Sequence, residues 1–142
     1  MAIAILYNLK RLMNQLENEK IGIHKGIIIG GFEYHNIISH NGDIRILFSL
    51  EKIQYSYLIN DLAMSICDFM LNSVESNLSY KDTAHSLLEG YEFELEKFDD
   101  LHKELLHNLI LFNLILFFIK HEIKTEYLSI FENIYLDPNF LK

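Results

Sequence analysis

The chain has 142 residues, half of them hydrophobic, with one cysteine, one proline and a formal charge of −8. That length suits one domain, 1–142, able to bury a core without staples, and the apolar content excludes a disordered acidic tail. A lone cysteine, Cys67, excludes an intramolecular disulfide and gives no support to an oxidising compartment.

Met1 to Tyr7 is apolar, but no positive charge precedes it and Asn8-Leu-Lys-Arg11 interrupts it. It reads as the first turns of an amphipathic helix, not as a secretory signal, and the protein as cytoplasmic. From Ala2 to about Asn18, Ile5, Leu9, Leu12 and Leu16 make one face, with Leu6 and Met13 beside them. Lys10, Arg11, Asn14 and Glu17 fill the other face, and Gly22 is the expected stop.

Residues 23–60 admit two readings. Asn41-Gly42 between two β-branched runs is a hairpin signal, because both central residues of a type I′ turn need positive φ. That turn would set Ile37 opposite Ile46 and Ser39 opposite Ile44. The competing reading is helical: Gly22, Gly26 and Gly30 recur every four residues, and Ile46, Leu50, Ile53 and Tyr57 keep helical spacing. Three glycines cost a helix roughly 1 kcal/mol each, which favours the hairpin. Tyr55 and Tyr57, near Lys52, suggest either a binding edge or amphipathic residues at the core boundary.

After Tyr57 the pattern is helical. Leu58, Leu62, Ile66, Phe69 and Met70 form a face up to Val74, and Asn72 to Asn77 is a polar break. Ser79-Tyr-Lys-Asp82 resembles an N-cap followed by a first-turn acid. Ala84, Leu87, Leu88, Tyr91, Leu95 and Phe98 then predict a helix that continues across Gly90. Asp99 or Asp100 caps the next helix, Leu101 to about Glu122. A last helix holds Ile123, Tyr127, Ile130, Phe131 and Ile134 and stops before Asp137-Pro138. Leu105 to Ile119 is a fifteen-residue apolar run. A membrane span needs about 20 such residues, and His107, Asn108 and Asn113 would lack partners in lipid. The expectation is a central helix enclosed by others on most of its circumference. The two asparagines read most simply as caps on a strand or loop end within the monomer, the alternative being a homodimer seam.

Charge is unevenly distributed. Residues 1–52 hold five acids and six bases, whereas residues 53–142 hold fifteen acids and six bases. Asp61, Asp68, Glu75, Asp82, Glu89 and Glu96 recur every seven residues, nearly two helical turns, so that successive members drift only about 20°. Glu92, Glu94, Asp99 and Asp100 thicken the same stretch. Solvated helix faces often carry charge, but a face built for solubility would intersperse lysines, and residues 61–104 hold three bases against eleven acids. Such a field repels nucleic acid and anionic lipid and attracts a basic partner.

Motifs for chemistry are sparse. Asp82-x-x-His85, Asp99-x-x-His102 and Glu104-x-x-His107 place an acid and a histidine on one helix face. Di-metal carboxylate bundles need two Glu-x-x-His motifs and two further glutamates, and only Glu104 with His107 qualifies. No cofactor is expected, and a metal at Glu104 and His107 is the alternative. His107 reads instead as a hydrogen-bonded core histidine. His35 and His40 flank the hairpin turn and could bind metal only with other partners. The glycine-rich stretch 22–31 matches neither a P-loop nor a dinucleotide fingerprint, and no nucleophile elbow occurs. Cys67 lies at core spacing, an inert thiol whose pKa Asp68 would raise.

In size, charge and composition the chain resembles small bacterial immunity proteins, and the likeness rests on Asp61, Asp68, Glu75, Asp82, Glu89, Glu96, Asp99 and Asp100. Its isoleucine, asparagine, lysine, tyrosine and phenylalanine content also suits the AT-rich coding of mobile genes. The resemblance implies a cytoplasmic inhibitor that binds a cognate toxin, often a nuclease, and blocks its active site.

The expected fold is mainly α, five or six helices with a small N-terminal β-hairpin, or else an all-α bundle. The expected function is stoichiometric binding of a basic toxin domain, not catalysis. Nucleic acid and membrane are not the expected partners, and the protein is a monomer or homodimer. Contacts would come from the acids above together with Glu92, and from exposed Tyr80 and Tyr91 as anchors. The rivals are a helical metalloenzyme and a self-associating regulatory or scaffolding subunit.

Overall fold

The computed structural model of the protein describes residues 1–18, 24–30, 33–46, 53–95 and 97–142, with the side chains of Ile46 and Glu75 outside that description. Among the described residues the fold is mainly α. Five α-helices, α1 (Ala2–Asn18), α2 (Leu58–Glu75), α3 (Tyr80–Glu94), α4 (Asp100–Lys120) and α5 (Thr125–Leu136), accompany four short strands. The strands are β1 (Lys25–Ile28), β2 (Ile37–His40), β3 (Asp43–Ile46) and β4 (Gln54–Tyr57), with a 3₁₀ turn at Tyr34–Asn36.

The hairpin forms in the expected register. β2 and β3 pair antiparallel with Ile37 opposite Ile46 and Ser39 opposite Ile44. Asn41 and Gly42 take φ of 52° and 83°, the positive values that this tight turn requires. The helical alternative for this region is overturned. Gly26 lies in β1, Gly30 takes a φ of 84°, and Tyr57 closes a strand. Gly22 and Leu50 lie outside the described residues.

A second pairing, β1 with β4, was not legible locally because it joins segments separated by the whole hairpin. Its ladder runs directly into α2. Helix α2 has no side-chain N-cap; the His24 carbonyl accepts the Leu58 N–H at 3.0 Å instead. Gly26 allows that approach, since a Cβ there would meet Leu58 Cδ2 at 3.1 Å. On the outer face Lys25 Nζ sits 4.4 Å from the Tyr57 ring centroid, and Tyr55 is 72 % exposed. Tyr55 is therefore a surface residue rather than one at the core boundary.

Helix ends follow from local chemistry. Asn77 closes α2 with a φ of 54°, and Leu78 N–H reaches back to the Ser73 carbonyl at 2.9 Å. Ser79 caps α3, accepting the Asp82 N–H at 3.2 Å. Asp99 caps α4, accepting the His102 N–H at 2.8 Å. Helix α3 stops at Glu94, four residues short of the periodicity's limit at Phe98.

Buried side chains from all five helices form one cluster. Helix α4 packs against α1, α2 and α5; α3 packs on α2, and β1, β4 and the 3₁₀ turn lie against α2. Leu105, Leu106, Ile110, Leu111 and Leu114 of α4 are buried. Enclosure loosens after that: residues 115–118 are half-buried and Ile119 is exposed. By length and composition α4 is apolar enough to cross a membrane, and its buried residues lie between Leu105 and Leu114, packed among the other helices.

Two polar residues of α4 differ from expectation. Among the described residues Asn108 and Asn113 cap no strand or loop; each amide donates at 2.9 Å to the carbonyl four residues back in its own helix, at Glu104 and Leu109. The chain also contributes to the core beyond Pro138. Phe140 and Leu141 are buried there, with Phe140 stacked on Tyr80 and edge-on to His107.

Candidate partner-binding surface

The heptad acids divide into two groups in space. Asp61 and Asp68 share a face of α2, half-buried and turned towards the strand layer. Asp61 accepts the Ile29 N–H at 3.4 Å, and Asp68 accepts the Tyr34 N–H. These carboxylates satisfy backbone donors that no strand partner reaches, which ties the sheet region to α2. The side chain of Glu75 and all of Glu96 lie outside the described residues.

The second group lies on α3 and at its junction with α4. Asp82, Ser86, Glu89 and Phe93 follow one another at helical spacing, and all four are exposed. They form one stripe along the solvent side of α3, opposite the buried Ala84 and Leu88. Glu94, Asp99 and Asp100 are exposed beyond its end. Among the described residues, no ion pair engages Asp82, Glu89, Glu94 or Asp100. Lys81, beside the stripe, is drawn to Asp137 at 3.4 Å.

Glu92 points inward. Its carboxylate accepts the Phe98 N–H at 3.0 Å and lies 3.7 Å from Lys103 Nζ. It holds the corner between α3 and α4, where Phe98 packs against Tyr91 and stacks on His102. Asp99 reaches His102 twice, at backbone N and at Nδ1, both 2.8 Å. Those hydrogen bonds, the backbone one foremost, hold the Asp99 carboxyl below the usual carboxylate range.

The expected tyrosine anchors are not exposed. Tyr80 is half-buried against Phe140 and Tyr91 is half-buried against Phe98. Burial, and then the nearby charge of Asp61, pushes the Tyr91 hydroxyl up from its ordinary pKa. The aromatic that the surface does offer is Phe93, 86 % exposed beside Glu89 and Glu94. Its signal was present in the sequence. Phe93 falls off the Ala84–Leu88–Tyr91 face, and an aromatic on the wrong side of an amphipathic helix has no core to enter.

Among the described residues the rival metal site is not assembled. Glu104 turns to Arg11 at 2.6 Å, and among the described residues no three His, Cys, Asp or Glu side chains converge. His107 is a core histidine, but among the described residues its Nδ1 has no hydrogen-bond partner, contrary to expectation. Burial lowers its pKa, partly offset by the charges of Asp137 and Glu104. Cys67 is buried, donates to the Ile110 carbonyl at 3.3 Å, and has its pKa driven far up by burial and then by Asp68. Compared with protein-family models, curated proteins and solved structures, the chain returns no match.

Proposed function

We propose that the protein is an immunity- or antitoxin-like inhibitor that binds a basic toxin domain, in the first instance a nuclease, and occludes its active site. The reading is carried by the α3 stripe, where Asp82 and Glu89 lie along the solvent side of the helix and the exposed Phe93 stands in its last turn. An enzyme that handles nucleic acid lines its groove with lysine and arginine. An acidic helix is the electrostatic complement of such a groove: it speeds encounter and fixes orientation. An aromatic at the centre of such a contact supplies the desolvated anchor that charge alone does not. Asp99 and Asp100, at the start of α4, extend the same negative field.

The test compares tagged wild type with an Asp82→Lys, Glu89→Lys, Phe93→Ala variant in lysate of the native host. These three side chains are exposed, so the variant is expected to stay folded, with a slightly lower melting temperature from the loss of the first-turn acid Asp82. Wild type should retain one basic protein at near-equal stoichiometry, in a complex weakened by salt. The variant should lose it, and the toxin's activity should return. A folded variant that still holds the same protein and still blocks its activity overturns the reading.

A further inference from the structure

Between α1, the first half of α4 and the C-terminal residues lies a cleft of about 630 Å³, within the roughly 300–1,000 Å³ range of small-molecule sites. Ala4, Ile5, Leu111 and Leu141 give it apolar walls, and His107 and Asn108 supply polar groups. Two acids, Asp100 and Glu104, and two bases, Lys103 and Lys142, also line it, so no net field selects an ion. Glu104 is in addition paired with Arg11.

His107 is the unusual element. It is 8 % exposed, and its Nδ1 is the one buried side-chain nitrogen or oxygen without a partner among the described residues. An orphaned buried N–H is rarer than an orphaned acceptor, so the favoured tautomer keeps its proton on Nε2. Nε2–H is then the donor that the ring offers. Asn108 already uses its amide N–H on the Glu104 carbonyl, which leaves Oδ1 as an acceptor. A donor and an acceptor that remain open on two adjacent, largely buried residues lining an apolar cleft match an uncharged planar head group.

We propose that this cleft binds a small uncharged molecule with an apolar body and a carboxamide-like head, which accepts from His107 and donates to Asn108. The site stands apart from the α3 stripe, and the two readings succeed or fail separately.

Benzamide is the probe, titrated into the full chain while ¹⁵N and ¹³C shifts of the histidine rings are followed. A saturable shift at His107 is expected, together with the Nε2–H tautomer. Toluene, which lacks the head group, should bind at least about tenfold more weakly, the scale of one buried hydrogen bond. His107→Phe should weaken benzamide about tenfold. Ala4→Phe, which fills the cleft from exposed α1 without altering His107, should abolish binding while leaving the melting curve intact. Absence of saturable benzamide binding overturns the proposal, as does equal affinity in the wild type and both variants.

Discussion

The carboxylate of Glu92 accepts the backbone N–H of Phe98 at 3.0 Å across the break between α3 and α4. It also faces Lys103, so one side chain satisfies a backbone donor and a cation at a chain reversal. This sets Glu92 apart from Glu89, three residues earlier on the open face of the same helix. The two glutamates look alike in sequence, but only one of them belongs to the fold.

Their substitution should separate accordingly. Glu92→Ala is expected to lower stability by about 1–2 kcal/mol, the scale of a hydrogen bond to a charged group. Glu89→Ala should change it by less than about 0.5 kcal/mol. Urea denaturation of both variants checks this. A charge-reversal test of partner binding that includes Glu92 would confuse a disturbed corner with a lost contact.

Acid should weaken the fold through His107. An imidazole held neutral by burial binds fewer protons in the folded chain than in the unfolded one, whose pKa is about 6.5. Its contribution is complete above that value and falls as pH drops below it. Glu104 and Asp137 reduce the loss by favouring the cation. Unfolding free energy measured at about pH 7.5 and pH 5.5 should fall in the wild type and change less in His107→Phe. Equal pH dependence in the two proteins would contradict this.

Two glycines should respond in opposite directions to alanine. Gly90 lies in α3, and a Cβ added there would meet nothing within 4 Å, so Gly90→Ala should stabilise by about 0.5–1 kcal/mol. Gly26→Ala would press on Leu58 where β1 meets α2 and should destabilise, by about 1 kcal/mol or more. Thermal melts of the pair give the sign directly.

Cys67 should be silent towards thiol reagents in the folded protein. It is buried and its pKa is raised, so attack requires opening of the α2–α4 contact. The labelling rate should therefore follow the opening equilibrium and rise with sub-denaturing urea. Rapid labelling in native buffer would contradict the packing at Ile110.

Much of the architecture was legible because its causes are local. The Ile5–Leu12–Leu16 face, the Ser79 and Asp99 caps and the Asn41-Gly42 turn each depend on residues within a few positions of one another. The candidate site was legible in part. Acid density pointed to residues 61–104, and Asp82 and Glu89 do lie on an open face. Heptad spacing alone did not reveal that Asp61 and Asp68 face the strands, because periodicity shows that residues share a face but not what lies opposite. The tyrosines failed as exposed anchors for the same reason. Phe140 returns from the C-terminal residues to cover Tyr80, and Phe98 bends back over Tyr91.

The sequence by itself determined the apolar helix faces, the Ser79 and Asp99 caps, the Asn41-Gly42 turn and the excess of acid in the later part of the chain. All of these arise from backbone geometry, short-range hydrogen bonding and composition. Only the tertiary structure decided the β1–β4 pairing, the inward role of Glu92 and, among the described residues, the unpartnered nitrogen of His107. Each of these depends on which distant surface arrives against a side chain, and burial and hydrogen-bond satisfaction are properties of that encounter.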